Sequence, residues 1–91
     1  MTETTLIVNH PVGLHARPAA TFYQKTREFK SRVTIQNLSR PNSKEVVVSP
    51  FNLLQIGVSS GHEVRLRAEG DDEQEAITAL STLIKENFGE T

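Results

Sequence analysis

The chain contains no cysteine. A disulfide framework and a thiolate metal site are therefore excluded, and the apolar core alone has to hold the fold. Aromatic residues are scarce, four phenylalanines and one tyrosine with no tryptophan. No apolar run approaches the roughly 20 residues of a membrane-spanning helix. Met1-Thr2-Glu3-Thr4-Thr5 has neither the basic start nor the apolar segment of a signal peptide. The expectation is a soluble cytoplasmic protein that does not engage a membrane. At 91 residues the chain has room for a single domain spanning 1–91, one that buries roughly two-thirds of its unfolded surface.

Net charge is also small, −1, but it is unevenly spread. Arg17, Lys25, Arg27, Lys30, Arg32, Arg40 and Lys44 face only Glu28 across their interval, whereas Glu69, Asp71, Asp72, Glu73, Glu75, Glu86 and Glu90 face only Lys85. Two readings are open: two solvated faces of opposite sign, or a basic surface near His15 that favours an acidic partner.

Hydrophobic patterning gives the order strand, helix, strand, strand, helix, strand, helix. Leu6-Ile7-Val8, stopped by Asn9-His10-Pro11, reads as a first strand. Ala19, Phe22, Tyr23, Thr26 and Phe29 recur at helical spacing from Ala16 to about Glu28. Arg32-Val33-Thr34-Ile35-Gln36 alternates as a half-buried strand, and Glu45-Val46-Val47-Val48 is its expected hairpin partner. Ser49-Pro50 reads as an N-cap followed by a first-turn proline, opening a short helix from Phe51 to about Gln55. His62-Glu63-Val64-Arg65-Leu66-Arg67-Ala68 alternates strictly. Gly70-Asp71-Asp72-Glu73 opens the last helix, whose buried stripe is Ala76, Ile77, Leu80, Leu83, Ile84 and Phe88. Strands that alternate polar and apolar have one wet face. The pattern therefore specifies an α+β open-faced sandwich, not a doubly wound sheet.

The stretch with chemistry in it is Gly13-Leu14-His15-Ala16-Arg17-Pro18-Ala19. Pro18 lacks an N–H but suits a first helical turn, so a helix is expected to open near Ala16 with its unpaired N–H groups and positive dipole end beside His15. That is a site for an anion such as phosphate. Gly13 lets the chain turn into it.

This heptapeptide, in a chain of this length and element order, resembles the histidine-containing phosphocarrier (HPr) family of the bacterial sugar phosphotransferase system. The likeness runs the whole length and includes the short helix after Ser49 and the opening of the last helix at Ala68-Glu69-Gly70-Asp71-Asp72-Glu73. It implies a four-stranded antiparallel sheet with three helices on one face. It also implies a carrier, not an enzyme, that receives a phosphoryl group on Nδ1 of His15 from phosphorylated enzyme I and passes it to sugar-specific A components. Arg17 would balance the phosphate charge, and the amides of Ala16 and Arg17 would bind its oxygens. Ser49 falls at the position that a regulatory serine kinase phosphorylates in many Gram-positive relatives. Phe51, Leu54 and Ile56 would form the apolar patch on which partners dock. Val12, His10 and Pro50 depart from the family pattern.

Other readings are a carrier in a dedicated branch, nitrogen-related or a dihydroxyacetone kinase relay, and a regulatory adaptor. His10 and His15 have no cysteine or carboxylate near them in sequence, so no metal and no cofactor are expected. His62 is expected at the surface. Nucleic-acid binding is not expected either, because Tyr23 and the phenylalanines fall outside the strands. A carrier that docks partners in succession is most simply a monomer.

Overall fold

Strict alternation over Glu63–Glu69 (β4) puts Val64, Leu66 and Ala68 on one side, all but fully buried, and Arg65 and Arg67 on the other. This strand is the centre of the sheet. In the computed structural model, which describes residues 1–11, 13, 14 and 16–89, β4 is flanked by Thr2–Ile7 (β1) and Arg32–Asn37 (β2), and β2 in turn pairs with Val46–Val47 (β3). The order is β1-β4-β2-β3 and every pairing is antiparallel. Register runs Thr2↔Ala68 to Ile7↔Glu63 on one side of β4 and Arg32↔Glu69 to Asn37↔Val64 on the other.

Three α-helices cover the apolar face: Ala16–Thr26 (α1), Pro50–Gln55 (α2) and Glu73–Lys85 (α3). α3 packs on β1 and β4, and α1 packs on both α2 and α3. Their inward side chains, among them Ala19, Phe22, Leu53, Leu80 and Ile84, join Val33, Ile35, Val64 and Leu66 in one core. The opposite face of the sheet is mostly polar, with Ile7 and Val47 its exposed apolar residues. There Arg67 reaches Glu3 on β1 at 3.2 Å and Glu45, before β3, at 3.3 Å.

The expected elements are all present, with shifted ends. β1 begins at Thr2 and not at Leu6, because β4 supplies partners along its whole length. β3 shrinks to Val46–Val47, and Glu45 instead accepts from Thr34 Oγ1 at 2.7 Å. α1 stops at Thr26, after which Glu28 N and Phe29 N bond three residues back and tighten the chain. α3 opens at Glu73 with no side-chain capping bond from Asp72. The Asp72 carboxylate is spent elsewhere, accepting from Lys30 N (2.8 Å), Ser31 N (2.9 Å) and Ser31 Oγ (2.5 Å).

Candidate functional site

α1 starts at Ala16, so its first N–H groups, with no intrahelical acceptor, are those of Ala16 and Arg17; Pro18 has none to offer. The Pro18 ring is fully buried and fixes where the helix begins. Arg17 is exposed, and no carboxylate among the described residues pairs with it. His15 and Val12 lie outside the described residues.

The segment leading into the helix is clamped from beneath. Gly13 has φ +70, and a Cβ there would stand 2.2 Å from the Val58 carbonyl oxygen and 2.7 Å from Ser59 Cα. Glycine is required on both counts. Leu14 is buried and its N–H donates to Val58 O at 2.9 Å, while Gly13 N donates to His10 O at 2.9 Å. His10 is itself buried, its ring edge-on to Phe88 with centroids 5.9 Å apart. Phe88 continues to Phe22 of α1 at 6.3 Å. No cluster of metal-ligating side chains occurs among the described residues.

α2 supplies the neighbouring surface. Ser49 is its N-cap, extended at φ −155, and its hydroxyl accepts from Asn52 N at 3.1 Å. Phe51 is 66% and Leu54 47% exposed, whereas Leu53 is fully buried. Ile56 does not join the exposed pair. It is 8% exposed and belongs to the core, because Leu53 and Ile56, three residues apart, share the inward face of the short helix just as Phe51 and Leu54 share the outward one. The apolar patch therefore consists of Phe51 and Leu54, on a helix packed against α1.

His62 lies at the surface, as the sequence leads one to expect, but its ring has partners there. It is only partly exposed, and its ring accepts from Ser59 N at 3.0 Å and lies 3.1 Å from the side-chain nitrogen of buried Asn37. Sequence reasoning missed this pair because its members are 25 residues apart. The only local sign was an asparagine on the inward side of a strand pattern.

A family model described as "PTS HPr component phosphorylation site" matches residues 2–86. The chain belongs to the HPr family. Among its relatives is the phosphocarrier protein HPr of Borreliella burgdorferi, 38% identical over 90 residues, with 99% of this chain and 100% of that protein covered. The multiphosphoryl transfer protein of Haemophilus influenzae is 36% identical over 86 residues, which is 94% of this chain but 17% of that protein. The chain thus spans about one-sixth of the multiphosphoryl relative and the full length of the single-domain one. Among solved structures, HPr-C-His from Thermoanaerobacter tengcongensis superposes with a TM-score of 0.89 at 43% identity, covering 100% of this chain and 99% of that one. The open-faced sandwich is the HPr fold.

Proposed function

We propose that this HPr-family chain accepts a phosphoryl group on Nδ1 of His15 from phosphorylated enzyme I and delivers it to sugar-specific A components, in the cytoplasm and without itself being an enzyme. The observation that carries the reading is the start of α1: a helix opening at Ala16 with an exposed arginine one residue further on, no carboxylate among the described residues neutralising it. A neutral imidazole is a competent nucleophile near pH 7. As its Nδ1–P bond forms, the bond to the donor breaks, and the same steps in reverse pass the group on. The amides of Ala16 and Arg17 and the Arg17 guanidinium supply fixed positive charge for the phosphate oxygens. Phe51 and Leu54 offer the apolar surface for docking.

Incubation with phosphoenolpyruvate and enzyme I, followed by mass spectrometry, tests this. The expected result is an acid-labile gain of one phosphate that His15→Ala abolishes; a chain that stays unmodified rejects the carrier. The Ser49 hydroxyl, already at a helix N-cap, is the site proposed for a regulatory serine kinase. Label from ATP should appear with such a kinase and disappear in Ser49→Ala, and a wild-type chain that takes no label leaves Ser49 as a helix cap only.

A further inference from the structure

The Gly13-Leu14 segment rests on Val58 and Ser59, so the accuracy with which it presents the next residue depends on what holds that support in place. Val58 O accepts from Leu14 N, and the backbone at Ser59 lies so close to Gly13 that no side chain fits between them. The support, residues 56–62 between α2 and β4, belongs to no regular element; it is held by the buried side chains of Ile56 and Val58, by Gly61 N donating to Val8 O at 2.7 Å and by side-chain bonds. One anchor is a side-chain network. Buried Asn37 donates through Nδ2 to Ile56 O at 3.1 Å and to the His62 ring at 3.1 Å, while its Oδ1 accepts from Ser39 N at 3.0 Å. His62 Nδ1 also accepts from Ser59 N at 3.0 Å. A backbone N–H can only donate, so Nδ1 carries a lone pair toward both partners and the proton of the neutral ring sits on Nε2. The backbone of the same histidine closes the loop, its N–H donating to Ser59 O at 3.0 Å and its carbonyl accepting from Val8 N at 2.9 Å.

We infer that His62 is a positioning residue: by accepting at Nδ1 from both Ser59 N–H and Asn37, it fixes the 56–59 segment that holds Gly13 and Leu14, and through them the presentation of His15. The inference deepens the carrier reading. It assigns His62 no contact with the phosphoryl group. Displacing a reacting group by a fraction of an ångström slows transfer without weakening the docking of the partner. Losing the shared acceptor strands one backbone donor and one buried amide donor.

Three measurements test it. In the native chain, long-range ¹H–¹⁵N correlation should find His62 protonated at Nε2 and bare at Nδ1; a proton on Nδ1 overturns the assignment without any variant. Amide exchange at Leu14 and Ser59 should quicken about tenfold in His62→Ala and return toward native in His62→Asn, whose Oδ1 stands where Nδ1 stood; unchanged exchange in His62→Ala, or no recovery in His62→Asn, overturns it too. With enzyme I and phosphoenolpyruvate, His62→Ala should take phosphate about tenfold more slowly at unchanged KM, and His62→Asn should recover most of the rate. A simply destabilising role would not divide the two variants in this way. A native chain that takes no phosphate rejects the carrier, while the exchange measurements still decide whether His62 positions the loop.

Discussion

Gly13 and Arg17, four residues apart, do separable work, and single substitutions should show it. At Gly13 a methyl group meets the Val58 carbonyl at 2.2 Å in a backbone conformation, φ +70, that side chains rarely adopt. Gly13→Ala should therefore cost about 1–3 kcal/mol of stability, read from the shift of a urea midpoint. Arg17 is exposed and unpaired among the described residues, so Arg17→Gln should move stability by less than about 0.5 kcal/mol. Its loss should instead appear as phosphoryl transfer from enzyme I slowed about a hundredfold. A large melting shift in Arg17→Gln would show that the arginine is structural.

At the scale of elements, α2 divides its side chains between two tasks. Leu53 is fully buried, and Leu53→Ala should cost about 2–5 kcal/mol in thermal or urea unfolding. Phe51→Ser with Leu54→Ser removes two exposed groups, and the double variant should fold as the native chain does while raising the KM measured with enzyme I. An unaltered KM would move the docking surface elsewhere. This helix was largely legible in the sequence because its signals are local: Ser49 and Pro50 mark the start and Gly57 follows its end. β4 was legible for the same reason, its charges and aliphatics alternating without a break. What local pattern does not carry is a partner far along the chain. The placement of Ile56 required knowing that the helical turn continues through it as the C-cap of α2, which sets it on the Leu53 face. The Asn37–His62 contact required β2 and β4 to be neighbours. Asp72, which sequence pattern assigns to the dipole of α3, holds the Lys30–Ser31 turn 41 and 42 residues away. The resemblance indicated the chemistry of the site, and the geometry added the floor beneath it.

For the molecule as a whole, acid sensitivity follows from carboxylates that close the sheet onto α3. Glu73 accepts from Thr2 Oγ1 at 2.6 Å, pairs with the amino terminus at 3.0 Å and accepts from Gly70 N at 3.3 Å. The Thr2 hydroxyl first, and then the amino terminus and the Gly70 amide, lower its pKa from 4.5 to about 2. Asp72 is lowered as well, chiefly by the Ser31 hydroxyl and then by the Lys30 amide. In both the folded state binds the proton less readily than the unfolded chain. The stability they confer is fully present above the ordinary carboxylate pKa and is lost as pH falls from there through the lowered, folded-state value. Melting temperatures of native protein and Glu73→Gln should therefore differ at pH 7 and converge between pH 4.5 and about 2. A gap that stays constant over that range would assign the effect to packing.

The central position of β4 also bears on how the molecule comes into being. β1 and β2 do not touch as neighbours; each pairs with β4, and the Thr2↔Ala68 pairing joins residues 66 apart in the sequence. A ribosome delivers residues at about 5–20 per second from the N-terminus, so the first two strands emerge well before the strand that unites them. Until β4 has cleared the exit tunnel, the nascent chain can form α1, α2 and the β2–β3 hairpin but no three-stranded sheet. The sheet therefore closes late, with the slowness expected of contacts between distant parts of a chain.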